Sequence, residues 1–312
     1  MVAARVAANS VIGVDVGGTK ILAGVVDRDG NVLESRERRT PSSQAELLRA
    51  LEDAVRDLLP HDGVAAVGFG LASRIDQSSG AAVASTNIPL AGVPFRQWMS
   101  DRLGLPVVID NDANAAALAE WAVGAGRGTR DLVMLTLGTG IGGGVIVGGR
   151  PFRGSTGAGV ELGHIVIDEG GPPCQGTCTG RGHLEAVASG GAANRAAREL
   201  IGPRADARDL LARARAGDEE ALSAVVQMGR FVGAAVASLV NIFEPELVVL
   251  GGGFAAGAAD LLLPPMRQVV ARDGLEPGRD RVRIEPAQLG VEAGLVGAGL
   301  LAFEAAEGRG PL

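Results

Sequence analysis

Residues 11–26, VIGVDVGGTKILAGVV, place two apolar runs on either side of a glycine turn. The runs at 11–16 and 21–26 are rich in β-branched residues, which favour strands, and Gly17-Gly18-Thr19 between them is a turn sequence. A second turn, at residues 27–30 (DRDG), follows the second run. The stretch therefore predicts a strand, a glycine turn and a second strand.

The same pattern recurs later in the chain. An apolar run at 132–137 leads into Gly138-Thr139-Gly140, and a further apolar run at 145–147 precedes the turn Gly148-Gly149. A repeat at a distance of about 120 residues exceeds the periods of solenoid proteins and indicates two duplicated lobes. We therefore expect an α/β protein with a cleft between duplicated lobes.

Length and composition agree with two lobes of a globular protein. The chain has 312 residues, of which 46% are hydrophobic and 21% charged, and this composition excludes global disorder. The net charge is −7, aromatic residues make up 3% and Tyr is absent, so we expect no nucleic-acid partner, because binding nucleic acids needs basic and stacking side chains.

The sequence also predicts a cytoplasmic protein with no membrane partner. The first ten residues lack an uninterrupted apolar segment of a signal peptide, and two Cys are too few for a disulfide framework in a chain this long. Eighteen uncharged residues lie between Asp131 and Arg150, but seven of them are Gly. We expect two short strands there and not a membrane span.

Polar residues follow a predicted strand in the first lobe. Apolar spacing predicts a helix at 44–59, and short buried strands are expected at 64–69 and 106–109, the latter running into Asp110-Asn111-Asp112 before an Ala-rich helix. Ligands of open α/β sheets bind at such strand ends. Helix capping explains one of the three polar residues. A carboxylate among them is suited to accept the proton of a hydroxyl nucleophile.

The C-terminal half predicts the lobe boundaries. A long helix is expected at 219–243, then a strand at 247–250 leading into Gly251-Gly252-Gly253, and a final apolar helix at 293–306 that should pack on the first lobe. We therefore expect residues 1–112 plus 293–312 to form a small N-terminal lobe, and residues 113–292 a large C-terminal lobe.

Three glycine turns are candidate phosphate-binding loops, since residues without Cβ let several backbone N–H groups converge on one anion. Each alone is more simply a β-turn, but three together favour binding. The spacing Gly138-x-Gly140-x-x-Gly143 runs into a strand and not into a helix, and Thr19 interrupts the P-loop spacing before Lys20, so neither common nucleotide motif applies.

Asp15 and Lys20 flank the first glycine turn. Asp15 is suited to hold Mg²⁺ through water, and Lys20 to neutralise phosphate charge. The alternative is an acidic turn residue beside a solvated lysine.

A Cys/His cluster is the densest chemical pattern. Both Cys and two of the three His, namely His164, Cys174, Cys178 and His183, lie within 20 residues. Four such ligands close a tetrahedral shell, so the loop 164–185 predicts a structural zinc ion; the alternative is a thiol pair near two structural His. The flanking Glu161 and Glu185 are surface acids or acceptors for sugar hydroxyls.

With these motifs the chain resembles the ROK sugar kinases, a group within the two-lobed actin-like ATPase (ribonuclease H-like) fold. The resemblance covers nearly the whole chain. It rests on DVGGTK at 15–20, NDANAA at 111–116, residues 137–143, ELGH at 161–164 and GHLE at 182–185. It implies an ATP-dependent sugar kinase, similar to the glucokinases of the family, that phosphorylates the 6-hydroxyl of a hexose, with glucose favoured.

The resemblance also implies residue roles. Asp112 would be the general base. The sugar would be bound by Asn87, Asn111, Glu161, His164 and Glu185. The ATP phosphates would be held by Gly17, Gly18, Thr19, Lys20, Gly138, Thr139 and Gly140. Gly251, Gly252 and Gly253 would lie against the adenosine, with Mg²⁺ near Asp15. Family likeness further suggests a homodimer or homotetramer.

Two departures from the family pattern leave alternatives open. The zinc loop is C-x3-C-x4-H where the family usually has C-x-C-x4-C, and Gly70-Leu71-Ala72-Ser73 stands where it usually has Gly-x-Pro-Gly. The second departure leaves mannose, fructose or an N-acetylamino sugar as possible substrates.

A non-catalytic, sugar-sensing ROK regulator is the other alternative, although ten residues before the first strand are too few for a helix-turn-helix. Polyphosphate as the donor is disfavoured because no Lys/Arg cluster is present.

Overall fold

The computed structural model describes residues 9–85 and 88–308. The chain divides into two compact units. The first unit comprises the chain up to Gly128, residues Arg150–Val160 and the chain from Leu289 onward; the second comprises Thr129–Gly149 and Glu161–Gln288.

The first unit is built on a sheet that starts with the predicted strand, turn and strand. Its strands are β1 (Ser10–Val16), β2 (Lys20–Asp27), β3 (Val32–Arg39), β4 (Val64–Leu71), the short pair β5 (Arg74–Asp76) and β6 (Ala81–Ala84), and β7 (Val107–Asn111). The main sheet has the order β3-β2-β1-β4-β7. β1, β2 and β3 are antiparallel neighbours, while β4 runs parallel to both β1 and β7.

Helices of the first unit cover this sheet. They are α1 (Gln44–Arg56), α2 (Phe95–Leu103), α3 (Asp112–Val123) and, at the C-terminus, α10 (Ala293–Ala306). As its apolar sequence predicts, α10 packs on β1 and β4. The approach is so close that a Cβ on Gly13 would lie 2.1 Å from the Leu295 carbonyl oxygen, and one on Gly68 would lie 1.8 Å from that of Ala298. Glycine at these strand positions therefore lets the helix reach the sheet.

The second unit repeats this sheet. Its strands are β8 (Leu132–Leu137), β9 (Ile141–Val147), β11 (Leu247–Gly251) and β12 (Arg283–Pro286). A further short strand, β10 (Arg150–Phe152), belongs to the segment that groups with the first unit. The sheet order is β10-β9-β8-β11-β12. β9 is antiparallel to β8, and β11 is parallel to both β8 and β12. Both sheets thus share one topology, which confirms the duplicated α/β prediction and the two-lobed actin-like ATPase fold.

The remaining helices belong to the second unit. They are α4 (Leu184–Ala188), α5 (Gly190–Leu200), α6 (Ala207–Arg215), α7 (Glu219–Phe243), α8 (Gly253–Asp273) and α9 (Gly278–Arg281). Within the described residues, α7 is the one helix long and apolar enough to cross a membrane, and more than half of its apolar window is buried. Its Gly229 and Gly233 pack against α8, as expected for a core helix. Residues 131–150 form the β8–β9 hairpin.

The observed division differs from the predicted lobes in three places, of which the return to the first unit at Leu289 and not at residue 293 is the smallest. The first unit extends to Gly128 and not to residue 112, because α3 packs on α10 so closely that a Cβ on Gly297 would lie 1.8 Å from the Ala115 carbonyl oxygen. Residues 150–160 also group with the first unit, although the prediction assigned them to the large lobe. These differences depend on contacts between distant segments.

Candidate active site

The polar residues at the end of β7 and the start of α3 have three different environments. Asn111 is the N-cap of α3, because its Oδ1 accepts hydrogen bonds from the backbone N–H groups of Ala113 (2.9 Å) and Asn114 (3.1 Å). Its Nδ2 donates to Asp112 Oδ1 at 3.0 Å and to the Ser73 carbonyl oxygen at 3.3 Å. The cap therefore also fixes the neighbouring carboxylate.

Asp110 is buried and fully paired. Its Oδ2 accepts from Arg153 Nε at 2.7 Å, and its Oδ1 accepts from the Asn111 backbone N–H at 2.8 Å and from Asn114 Nδ2 at 3.2 Å. The side chains of Asp110 and Arg153 are 2% and 7% exposed. Because both oxygens are occupied and away from solvent, Asp110 is not available to accept a proton from a substrate.

Only one carboxylate oxygen of Asp112, Oδ1, accepts hydrogen bonds from the described residues. Oδ1 accepts from Asn111 Nδ2 and from the Ala113 backbone N–H (2.9 Å), and Oδ2 has no hydrogen-bond partner within 9–85 and 88–308. Burial raises the pKa of Asp112, and the charge of Asp110 adds to the rise, while its hydrogen bonds lower it. This is the arrangement expected of a general base: an oriented carboxyl group with a free oxygen and an elevated pKa.

Asp15 on β1 lies close to Asp112 at the start of α3. Asp15 on β1 is in register with Gly70 on β4, which is in register with Asp110 on β7, and a Cβ on Gly70 would lie 3.4 Å from the Asp112 Cα. Burial, with repulsion from Asp112, raises the pKa of Asp15 to about 7, and Lys20 opposes the rise. The structure therefore brings together the two carboxyl groups that the sequence separates by 97 positions (112 minus 15).

The first glycine turn joins β1 to β2. The backbone N–H of Gly17 donates to the Lys20 carbonyl oxygen at 3.0 Å, and Thr40 Oγ1 donates to the Gly17 carbonyl oxygen at 2.7 Å. Gly18 and Thr19 at its tip are exposed. Lys20 Nζ lies 3.2 Å from Glu37 Oε2 in an exposed ion pair, so solvent access to the lysine is retained.

The second and third glycine turns lie side by side in the second unit. Gly252, with φ of 89°, follows β11, and a Cβ there would lie 2.3 Å from the Leu137 carbonyl oxygen, directly before the turn Gly138-Thr139-Gly140. The N–H groups of Gly190 and Gly191, at the start of α5, donate to the Gly138 and Thr139 carbonyl oxygens. Sequence reasoning missed this glycine pair, although Ser189-Gly190 carries a helix N-cap signal.

The four predicted zinc ligands converge. His164 Nδ1 lies 3.1 Å from His183 Nδ1 and 3.7 Å from Cys174 Sγ, and Cys178 Sγ lies 3.6 Å from His183 Nδ1. All four ligand atoms are within 4.8 Å of one another. Zinc bonds of about 2.0–2.3 Å imply ligand separations of about 3.3–3.8 Å in a tetrahedron. The donor set and its spacing therefore fit zinc.

The Cys/His cluster is joined to the second glycine turn by Glu185. Its Oε2 accepts from the Ile141 backbone N–H at 2.8 Å, and its Oε1 lies 4.0 Å from Cys174 Sγ. Burial raises the pKa of the Cys174 thiol to about 11, with Cys178 and Glu185 adding to the rise. A cation that stabilises the thiolate would remove this cost.

Glu161 lies on the other side of His164. Its Oε2 is 4.0 Å from His164 Nε2, so His164 presents Nδ1 to the cluster and Nε2 to Glu161. Val160 has a φ of 66°, a conformation that β-branched residues rarely adopt. Sequence reasoning missed Val160, since no local pattern marks a non-glycine residue at positive φ. Asn87, predicted to lie near the sugar, is outside the described residues.

Comparisons with known proteins agree with this geometry. The ROK family model matches residues 11–305. The chain is 36% identical to a glucokinase of Streptomyces coelicolor, covering 94% of this chain and 97% of that protein. It is 37% identical to an N-acetylmannosamine kinase of Citrobacter koseri, covering 94% and 98%.

A solved structure is also similar. The ROK family glucokinase of Streptomyces griseus, in complex with glucose and AMPPNP, has a TM-score of 0.81 and 36% identity, covering 94% of this chain and 99% of that one. The family match over residues 11–305, the full-length relatives and the shared architecture agree. The chain therefore belongs to the ROK family.

Proposed function

We propose that this ROK protein is an ATP-dependent hexose kinase that phosphorylates the 6-hydroxyl of glucose. The observation that carries the proposal is the open Oδ2 of Asp112, on a carboxyl group held at Oδ1 and lying near a second carboxyl group, that of Asp15. Membership of a family that contains the relatives named above supports the reaction class.

Asp112 acts as the general base. Its Oδ2 accepts the proton of the sugar 6-hydroxyl as that oxygen bonds to the γ-phosphorus of ATP, while the bond from this phosphorus to the β–γ bridging oxygen breaks and ADP leaves. Its Oδ1 stays bound to Asn111 Nδ2 and the Ala113 N–H. Burial raises the pKa of Asp112, which makes its carboxylate a stronger proton acceptor than a solvated aspartate. The second carboxylate of the strand end, Asp110, is neutralised by Arg153 and takes no part in the transfer.

The sugar is bound by side chains with opposite hydrogen-bonding capacities. We assign Asn111, Glu161, His164 and Glu185 to the sugar hydroxyls, together with Asn87. Carboxylates accept hydrogen bonds from hydroxyls, and an imidazole Nε2–H donates to them. With Nδ1 of His164 directed at the Cys/His cluster, its Nε2 would carry the proton and donate it to a sugar hydroxyl.

The glycine turns hold the nucleotide. We assign Gly17, Gly18 and Thr19, together with Gly138, Thr139 and Gly140, to the ATP phosphates. We assign Lys20 to the phosphate charge, and Gly251, Gly252 and Gly253 to the adenosine. Oxygen ligands suit Mg²⁺, and the Asp15 carboxyl group, which burial and Asp112 keep from ionising easily, would hold the cation through water. When bound, Mg²⁺ neutralises charge that develops on the phosphates.

Zinc has a structural role in this proposal. His164, Cys174, Cys178 and His183 would fill a four-ligand shell and leave no open position for catalysis. When bound, the ion orders the loop and fixes the tautomer of His164. Glu185 connects this loop to the backbone of Ile141, directly after the second glycine turn.

A coupled assay of ADP release over a panel of sugars tests the function. We expect glucose to have the highest kcat/KM with ATP, with mannose, fructose and N-acetylmannosamine lower, and polyphosphate to be a poor donor. A protein that releases no ADP with any hexose would contradict the kinase assignment. A highest kcat/KM for N-acetylmannosamine would retain the kinase and overturn the choice of glucose.

Removal of zinc is expected to raise the sugar KM more than the ATP KM. Chelation frees the His164 ring and its tautomer, so the sugar KM should rise about 10-fold, the lower end of effects seen when ligand orientation is lost. Kinetics on protein shown to be zinc-free by elemental analysis and folded by circular dichroism provide the measurement. His61→Ala, which alters the histidine outside the cluster, is the control. An unchanged sugar KM in zinc-free, folded protein would refute this role.

A further inference from the structure

The ion pair between Asp110 and Arg153 is unusual because both partners are buried. Asp110 is 1% exposed and Arg153 is 7% exposed. Burying two charges costs solvation free energy that apolar residues would not cost. The proposed mechanism uses neither residue directly, so the pair needs another explanation.

A continuous set of hydrogen bonds links Arg153 to the general base. Arg153 Nε donates to Asp110 Oδ2, and Asp110 Oδ1 accepts from the Asn111 backbone N–H and from Asn114 Nδ2. Asn111 in turn caps α3 and donates from Nδ2 to Asp112 Oδ1. Arg153 therefore holds the residues that orient the Asp112 carboxyl group.

The segment that carries Arg153 is anchored to the end of β7 at a second point. Gln77 Nε2 donates to the Ile109 carbonyl oxygen at 3.0 Å, and the Gln77 backbone N–H donates to the Thr156 carbonyl oxygen at 3.0 Å. A Cβ on Gly157 would lie 2.3 Å from Gln77 Cγ. Two independent sets of contacts, one through Arg153 and one through Gln77, thus hold residues 150–160 against the C-terminal end of β7, directly before Asp112.

Arg153 also balances charge beside the base. The charged groups near Asp112 are Asp110 on β7 and Asp15 on β1, and Lys20 on β2 faces Asp15. Among these, Asp110 lies two positions before Asp112 in sequence, and Arg153 is the ion-pair partner of Asp110. Loss of the guanidinium would leave a negative charge uncompensated next to the base, and loss of Asp110 would leave a positive one.

We propose that Arg153 is a positioning residue for Asp112, holding the first turn of α3 through Asp110 and offsetting the charge of Asp110 beside the base. The inference rests on the proposed function, in which Asp112 accepts the hydroxyl proton. A guanidinium that acts in this way controls both the orientation of the carboxyl group and the pH range in which it is ionised.

The two partners should shift the pH profile in opposite directions. In Arg153→Met the uncompensated Asp110 charge disfavours ionisation of Asp112, so the acid limb of kcat should move to higher pH by about one unit. In Asp110→Asn the limb should move to lower pH. The double variant Asp110→Asn/Arg153→Met carries neither charge, so its limb should lie near that of the wild type while kcat stays about 10-fold lower, since the anchoring contact is lost.

Sugar and ATP KM values should change less than kcat in all three variants, because the contacts to ligands remain. Arg153→Lys keeps the positive charge, so its acid limb should lie close to that of the wild type, while its kcat should stay below the wild-type value. Arg150→Met, an exposed arginine in the same segment, is the matched control and should behave as the wild type. A contribution to folding alone would lower the active fraction without moving the acid limb.

Carbon-13 NMR of carboxyl-labelled aspartate tests the coupling without activity. The Asp112 resonance, assigned by its loss in Asp112→Asn, should titrate at higher pH in Arg153→Met and at lower pH in Asp110→Asn. Titration at one common pH in all folded variants, with superimposable kinetic profiles, would overturn the inference about Arg153. A wild type without hexose turnover would instead overturn the proposed function, and the NMR titration would still decide the role of Arg153.

Discussion

Asp112→Asn is expected to lower kcat at least ~10²-fold, the lower end for loss of a general base. The amide has nearly the shape of the carboxyl group but cannot take the hydroxyl proton. The contacts of Oδ1 with Asn111 Nδ2 and the Ala113 N–H can be kept by the amide oxygen. Sugar affinity should therefore stay within about 3-fold of the wild-type value, because the loss falls on the transition state.

Steady-state kinetics with ATP and glucose, and calorimetric titration with glucose alone, measure the two effects separately. Asp101→Asn, at an exposed position in α2, is the control for the substitution. A near-normal kcat in Asp112→Asn would remove Asp112 as the base. Asp110, the neighbouring carboxylate in sequence, would not replace it without rearrangement, since both of its oxygens are occupied.

Asp15→Asn is expected to stabilise the protein at neutral and alkaline pH. The pKa of Asp15 rises from 3.8 in the unfolded chain to about 7 in the fold, chiefly through burial. Below pH 3.8 the group is protonated in both states and has no effect. Between pH 3.8 and 7 the carboxyl group loses its proton in the unfolded chain before it does so in the fold, so stability falls as pH rises. At about 1.4 kcal/mol per pH unit, the loss of stability reaches about 4 kcal/mol and is complete above pH 7.

The Asn side chain does not ionise, so the difference in unfolding free energy between Asp15→Asn and the wild type should grow from near zero at pH 4 to about 4 kcal/mol at pH 8. Urea unfolding from pH 4 to 8 without divalent cations measures it. Asp29→Asn, in the exposed turn after β2, should follow the wild type. If the Asp15→Asn and wild-type curves run parallel over this range, burial does not penalise Asp15. A more stable but poorly active variant is expected if Asp15 holds Mg²⁺.

The sequence was sufficient where the signal was local. β-branched runs and glycine turns predict β1, β2, β8 and β9, and their repetition predicts the duplication that the two sheets confirm. Four Cys and His side chains within 20 residues are constrained to a short loop, so their convergence also follows from spacing. The choice of Asp112, by contrast, came from a family resemblance and stays a proposal.

Contacts between residues far apart in the chain could not be predicted from local sequence patterns. Glu120 is an example: it is fully buried on α3, its Oε2 accepts from the Ala125 N–H, and its Oε1 accepts from the Leu289 N–H, 169 positions away. It therefore fixes the chain near Gly128, where the chain first leaves the first unit, and at Leu289, where it finally rejoins that unit. The predicted boundary at 112 was misplaced because such contacts, together with the packing of α3 on α10, assign the helix to the first unit.

The sequence by itself determined the strands, the turns, the duplication and the cluster of Cys and His side chains, since each depends on the order and spacing of nearby residues. Only the tertiary structure decided which of two neighbouring carboxylates is free. Asp110 and Asp112 are equivalent as sequence letters, but Arg153, brought in from 43 positions along the chain, occupies the first and leaves the second with an open oxygen. Ion pairing and burial set the protonation of a carboxyl group, and both depend on residues that folding brings together.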